Sequence, residues 1–398
     1  MKEPVMVMES YALGAIGAIR SLGSAGYQVH ACSWQPRALG LHSRYAAATC
    51  VHPRYETPEF IPWLREYIEA NSIRLIIPSE GFVLGVRNHI REFMPLLPLP
   101  DDSDTLFSGF GKYDLFKRIQ DRATANPHLL ENLPPFLLLE QDEALPSEQQ
   151  LADLGLPLFI KADGCHGLDT VHGEVARADT AKQAIERIKV LRKRFKLLMV
   201  QGFAPGIGAG CYFLRWNGNI LAQFSNRCLH EVPHTGGLSS LRESWHHPAM
   251  MEDARLKLEA MEWQGVAMME YRWNPETGRF YLMEMNARFW AALHLAIFSG
   301  VNFPQLLADV FFDRAANDKQ PEYAEGLMAR WTVPLEIGYV RSLMKDPDVS
   351  TSRWLKAIAE YFVLMVHPRV RADWNYPGDR QLYIRAWWEF LRGVLFER

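Results

Sequence analysis

Three polar side chains stand at every second position of LMEMNARFW, residues 282–290: Glu284, Asn286 and Arg288, with Met283, Met285, Ala287 and Phe289 between them. Alternation with period two is the signature of a β-strand that buries one face and shows the other. The run before it, VAMMEYRW at 266–273, carries Glu270, and Asn274–Gly278 is short enough to close a hairpin. Symmetric pairing about that turn sets Glu270 opposite Leu282, one diagonal step from Glu284, about 7–8 Å at the backbone. Two carboxylates and an amide oxygen on one face suit a hard cation such as Mg²⁺, which takes oxygen ligands and usually shares them with phosphate. Arg288, one step further, suits an anion, because guanidinium matches phosphate geometry. The alternation by itself fits equally well a solvated strand face with a surface ion pair.

Two lysines have comparable promise. Leu158–Lys161 reads as a strand running into ADGCHG, residues 162–167. A lysine leaving a strand beside a glycine loop can hold phosphate with its ammonium and with backbone N–H groups. The loop lacks the GxxxxGK[ST] pattern and is not a P-loop. Lys112, in GFGKYDLFKRI, opens a helix over Lys112–Ala123, and VQGFAPG at 200–206 is a strand ending in a turn. Taken singly, these are a hairpin loop, a surface lysine and a chain reversal. Cys165 has no base at a recognisable spacing to make it a nucleophile. His230, His234, His246 and His247 are irregularly spaced and read as loop histidines, not zinc ligands.

The elements that must position these residues follow two textures. A chain of 398 residues is long enough for two or three domains. The first third alternates strand and helix: Val5–Met8, Ala12–Ala25, Tyr27–Ser33, Phe60–Ala70 and Leu75–Pro78. That order predicts a Rossmann-like α/β domain with a parallel sheet. Its first turn offers Gly14 and Gly17 without a full GxGxxG, so a dinucleotide site is disfavoured. Glu80 follows the last strand, at the carboxyl edge where open α/β sheets meet ligands; a helix cap explains Ser79–Glu80 equally well. PLLPLP at 95–100 marks a boundary and Asn126–Leu137 a connector. From residue 156 strands dominate, with turns at Asn217–Asn219 and Asn274–Gly278 and helices at Thr180–Arg194 and Pro248–Met261, an α+β texture.

The formal net charge of −3, from 43 basic and 46 acidic residues, carries no nucleic-acid footprint. Five scattered cysteines without a CxxC pair read as reduced thiols of a cytoplasmic protein. MKEPVMVMES has no signal-peptide core, and the longest greasy run, Phe289–Val301, is too short to span a bilayer. The run from Arg380, RQLYIRAWWEFLRGVLFER, is amphipathic. Packing on the core or on a partner is the favoured reading, ahead of an interfacial membrane helix.

In this order the pieces resemble the ATP-grasp superfamily, in particular its carboxylate–amine ligases, over residues 1–315. The resemblance implies an N-terminal domain at 1–111, a central subdomain at 112–200, a metal-bearing subdomain at 201–320 and a small C-terminal extension at 321–398. It makes Lys112 and Lys161 phosphate ligands and places ATP against Gly164, His166 and Gly167 of the glycine loop. It assigns the hinge Gln201, Gly202 and Phe203 to adenine, and Glu270, Glu284 and Asn286 to two Mg²⁺ ions, with Mn²⁺ as a substitute. Arg288 would face the acyl phosphate, and Arg242, in HTGGLSSLRES at 234–244, would hold a carboxylate or phosphoryl group from a glycine loop. Two positions depart from the family pattern: Gly202 replaces an acid and Ala287 a proline. The implied reaction is ATP-dependent amide formation between a small carboxylate, such as an amino acid, and an amine, by a protein able to form a homodimer. A bicarbonate-using carboxylase or carbamoyl-phosphate-type enzyme and a non-catalytic nucleotide-binding regulator are the alternatives.

Overall fold

The computed structural model describes residues 2–170, 172–314 and 320–396. Residue 315, where the resemblance closes, and residues 397–398 of the amphipathic run lie outside them. The chain forms two compact units: Met1–Pro98, Ile207–His247 and Arg288–Arg398 in the first, Leu99–Gly206 and Pro248–Ala287 in the second.

The first unit begins with strands β1 (Pro4–Val7), β2 (Gln28–Ser33), β3 (Ala48–Val51) and β4 (Leu75–Ile77), joined into a parallel sheet of order β3-β2-β1-β4. Helices α1 (Leu13–Ser24) and α2 (Phe60–Asn71) fall where the sequence places them. The small residues of α1 permit close packing: a Cβ at Gly14 would lie 2.7 Å from the Trp290 carbonyl oxygen. Strand β3 escapes the sequence reading because it is four residues long and only half-buried on its inner side.

In the second unit, helix α3 (Lys112–Ala123) precedes β5 (Phe136–Glu140), β6 (Leu158–Ala162), β7 (Glu174–Ala178), α4 (Ala181–Leu191) and β8 (Leu197–Gln201). The strands make an antiparallel sheet of order β5-β8-β6-β7. Its core holds Leu158, Ile160, Ile188, Phe195 and Leu198. The end of the expected connector, Phe136–Leu137, opens β5, because those apolar residues pair with Gln201 and Val200.

Strands β9 (Ile207–Trp216), β10 (Asn219–Val232) and β11 (Leu238–Ser244) return to the first unit as an antiparallel ladder. Asn217 and Gly218 carry φ of 49° and 83° and close the β9–β10 hairpin, the two left-handed positions such a turn requires. Helix α5 (Pro248–Ala260), β12 (Gly265–Trp273) and β13 (Phe280–Asn286) complete the second unit. The first unit then adds α6 (Leu293–Ser299), α7 (Phe303–Phe311), β14 (Met328–Arg330), α8 (Ile337–Lys345), α9 (Thr351–Val366), β15 (Val370–Ala372) and α10 (Gln381–Phe396). The C-terminal stretch is built into its unit. β14 pairs with β11, β15 pairs with β14, and Trp374, Leu382 and Ala386 share a core with Leu13 and Ile16 of α1. Among the described residues no helix is long and apolar enough to cross a membrane.

Candidate active site

The β12–β13 hairpin corrects the expected register. Tyr271 pairs with Leu282, but Glu270 pairs with Glu284 across an irregularity that makes Met283 the extra residue. A bulge of this kind re-aims a strand locally. The two carboxylates therefore stand directly across from each other, where opposing Cβ atoms are about 4.5–5.5 Å apart, and not one diagonal step away. Buried Met269, Tyr271, Leu282 and Met285 anchor the hairpin. Asn286 donates from Nδ2 to Glu284 Oε1 at 2.8 Å, which fixes the carboxylate with the donor end of the amide.

Two lysines of the same unit meet this acid pair. Lys112, at the first position of α3, lies 3.0 Å from Glu284 Oε2 and 3.3 Å from Asp163 Oδ1. Asp163 also accepts the backbone N–H of Lys112 at 2.6 Å and so caps α3. It is a site residue that sequence reasoning missed, although it lies in the same ADG turn as the glycine loop. Burial pulls the Lys112 ammonium down, but Glu284 and Asp163 outweigh it and raise its pKa. Burial works against the Glu284 carboxylate too; the Lys112 charge and the Asn286 hydrogen bond overcome it and bring its pKa to about 2.

Lys161 sits at the end of β6 and is buried. Its Nζ donates to Gln201 Oε1 at 2.6 Å. Here burial wins, helped by the nearby Lys112 charge and only partly offset by Glu284, and the pKa falls to about 8. Gln201 is fully buried, and among the described residues its Nε2 has no hydrogen-bond partner. A buried amide donor left unpaired is costly, so this atom fits a site completed by a ligand acceptor. Phe203 is 51% exposed and stacks on Phe159 at 6.4 Å, a flat apolar platform.

The departure at Gly202 has a steric reason. A Cβ there would lie 2.0 Å from the Leu154 carbonyl oxygen, so no side chain fits. The Gly202 N–H is already donated to the Pro135 carbonyl oxygen at 2.9 Å. In the glycine loop, Gly164–His166 form a 3₁₀ turn, and a Cβ at Gly167 would lie 1.9 Å from the Thr170 carbonyl oxygen. His166 Nε2 lies 2.5 Å from Asp114 Oδ2, which ties the loop to the first turn of α3.

Arg242 and Arg288 belong to the first unit. Strand β13 ends at Asn286, so Arg288 is not on the strand face with Glu284 as its spacing suggests. The chain turns there because Phe289 and Trp290 are drawn into the first unit's core, where Trp290 packs on Tyr212 at 4.4 Å. Arg288 Nε lies 3.7 Å from Glu80 Oε2. Glu80 follows β4, and Glu9, whose φ is 51°, follows β1. The Arg288 charge also acts on Glu9, although burial dominates and raises the Glu9 pKa. Glu9 is a second residue the sequence did not flag. Arg242 lies on β11, not in a loop; only the turn before Leu238 is loop, because the long β10 pairs with Leu238–Ser244. It is 1% exposed and its Nη2 pairs with Asp373 Oδ1 at 2.5 Å.

The family model described as "ATP-grasp in the biosynthetic pathway with Ter operon" matches residues 219–333, the stretch that carries Glu270, Glu284 and Asn286. The chain has an ATP-grasp fold. Among solved structures, this chain is similar to N5-carboxyaminoimidazole ribonucleotide synthetase from Thermus thermophilus, at 17% identity over 80% of this chain and 81% of that one, with a TM-score of 0.58. It is similar to the L-amino acid ligase from Bacillus licheniformis at 15% identity, covering 78% and 73% of the two chains, TM-score 0.55. For biotin carboxylase from Campylobacter jejuni the values are 16%, 80%, 72% and 0.57. No curated protein matches the sequence.

Proposed function

We propose that this ATP-grasp protein is an ATP-dependent carboxylate–amine ligase that forms an amide through an acyl phosphate. The observation that carries the reading is the hairpin pair Glu270–Glu284 with Asn286, in one compact unit with Lys112 and Lys161. Glu270, Glu284 and Asn286 would hold Mg²⁺, one or two ions, or Mn²⁺. The metal supplies charge neutralisation on the phosphates when bound. Lys112 and Lys161 would bind the phosphates of ATP, with Gly164, His166 and Gly167 closing over them. Gln201 would donate its unpaired Nε2 to the base, and Phe203 would supply a stacking face. Lys112 must then exchange its carboxylate partners for phosphate, which releases Glu284 for its ligand role.

In the first step a carboxylate oxygen of the substrate attacks the γ-phosphorus and ADP leaves. In the second, an amine nitrogen attacks the acyl carbon, loses its proton, and inorganic phosphate leaves. Phosphoryl transfer of this kind is mainly positioning and charge stabilisation, so no protein nucleophile is called for. Arg288 with Glu80 and Glu9, at the carboxyl ends of β4 and β1, offers one cation and two acids. That combination suits a substrate carrying both a carboxylate and an ammonium group, and it favours an amino acid over bicarbonate. Arg242 enters the proposal through its pair with Asp373; holding a phosphoryl group would require that pair to open.

A phosphate-release screen over amino acids and small biosynthetic acids, with mass spectrometry of products, tests the reading. Release that depends on both an acid and an amine, with an amide product, supports it. Bicarbonate-dependent release without an acid supports the carboxylase alternative. ATP binding without release under any condition supports a regulator.

The depressed Lys161 pKa sets a pH dependence. Bound phosphate favours the charged ammonium, so ATP binding takes up a proton wherever free Lys161 is neutral. Between about pH 7 and pH 9, ATP affinity is expected to fall by about tenfold. Calorimetric titration in two buffers of different ionisation enthalpy reads the proton uptake directly; no uptake near pH 8 would contradict it. The stability sign is opposite: between pKa about 8 and the ordinary 10.5 the unfolded chain binds the extra proton, so folding stability rises with pH across that window.

A further inference from the structure

The C-terminal helices keep apolar residues on the outside. On α10 the residues Ile384, Trp388, Leu391 and Leu395 are 71%, 62%, 45% and 67% exposed. Their spacing, i, i+4, i+7 and i+11, puts them in one stripe along about 16 Å of helix. Helix α9 repeats the spacing with Leu355, Ala359, Phe362 and Val366; Phe362 is 62% and Val366 83% exposed. Neither stripe is the face that builds the core, since α10 turns Leu382 and Ala386 inward and α9 buries Ala357, Tyr361 and Leu364. The amphipathic run is therefore packed on one side, as the sequence suggests, and apolar on the other side as well.

Over residues 353–392 bases outnumber acids, seven to four. Arg353, Lys356, Arg369, Arg371, Arg380 and Arg385 are all exposed. Two of those acids are withdrawn: Asp373 and Asp379 are buried in ion pairs with Arg242 and Arg20. Glu389 is half-buried on Arg392 at 2.9 Å, and Glu360, whose side chain is 42% exposed, lies 3.9 Å from His230. These exposed bases belong to a chain whose formal net charge is −3.

We propose that the C-terminal extension binds the surface of an anionic lipid bilayer, with the α9 and α10 stripes entering the headgroup boundary and the six bases over lipid phosphates. Helices with apolar residues including Trp and Phe on one face and flanking Lys and Arg have this affinity, and each base adds to it at low salt. A second copy of the chain fits less well. An isologous contact would press the same six bases against themselves, and like charges so placed repel.

Co-sedimentation with vesicles tests the proposal on the full chain. Binding to phosphatidylcholine mixed with phosphatidylglycerol is expected to exceed binding to phosphatidylcholine alone by about tenfold and to weaken as salt rises. The double variant Phe362→Glu, Trp388→Glu should lose binding to both; Arg380→Glu with Arg385→Glu should lose only the preference for anionic vesicles. Equal thermal melting of the variants and the native chain shows that the fold survives. No vesicle binding by the native chain overturns the proposal. So does a stable dimer by light scattering that the Phe362 and Trp388 substitutions split, because the stripes would then be covered by protein.

Discussion

Glu284→Ala is expected to reduce ATP turnover to about one-thousandth of the native rate or less, while the protein stays folded. The carboxylate stands across the hairpin from Glu270, is held by Asn286 and neutralises Lys112. On the proposed reading its removal deletes a cation ligand and leaves Glu270 and Asn286 to hold the metal alone. It also lets Lys112 rest entirely on Asp163, which lies 3.3 Å away, so the fold loses one contact of a network and not a core side chain. A destabilisation of about 1–2 kcal/mol is the corresponding expectation. Turnover and melting measured on one preparation separate the two effects. Near-native turnover would remove the metal assignment; collapse of the fold would show that the pair is structural. Glu284→Gln keeps the shape and an acceptor oxygen, and should lose turnover by a similar factor if charge on the cation is what matters.

Asp373→Ala is the second large effect, and it is one of stability. Arg242 and Asp373 are 1% and 0% exposed and pair at 2.5 Å. Among the described residues Arg242 Nε and Nη1 already lack partners, so the carboxylate is the principal compensation for a buried charge. Burial raises the Asp373 pKa, and Arg242 works against that rise. Removing one partner of a buried pair typically costs about 3–5 kcal/mol, which corresponds to a fall in melting temperature of roughly 10 °C for a unit of this size. Replacing both partners with apolar residues, Arg242→Met with Asp373→Leu, should recover most of the loss, because two desolvated charges are then absent. A single-variant loss below about 1 kcal/mol would show the pair to be hydrated. The neighbouring Arg20 makes the same point on α1: its Nε lies 2.9 Å from buried Asp379, and its Nη1 3.0 Å from His294 Nε2. Burial, with Arg20 and Arg242 nearby, keeps the His294 imidazole well below its usual pKa. These pairs tie the C-terminal extension into the body of the first unit.

Local sequence determined a good deal of this protein. Period-two and helical patterns placed β1, β2, β4 and β12, with α1 and α3, to within a residue or two, and the start of β13, since amphipathic periodicity is a local property. Turn chemistry placed both hairpins, and the residue types along 266–286 named the two acids and the amide of the candidate site. Tertiary structure decided the rest. The bulge at Met283, which sets Glu270 across from Glu284, depends on how two strands settle against their cores. Asp163 became a site residue only because β6 ends beside the first turn of α3, fifty-one positions back along the chain. Asp163 reaches Tyr113 and Lys112 through space, and spacing in sequence carries no sign of that. The end of β13 was invisible for the same reason: the alternation continues to Phe289, but the pull of Trp290 into a different core ends the pairing at Asn286. Arg242 shows the limit most plainly. A run of Gly and Ser reads as a mobile loop, yet the edge of β10 made it a strand, and a carboxylate one hundred and thirty-one positions further on took its guanidinium out of water. Periodicity and turns are fixed by neighbours in the chain; register, partners of buried charges and strand ends are fixed by neighbours in space.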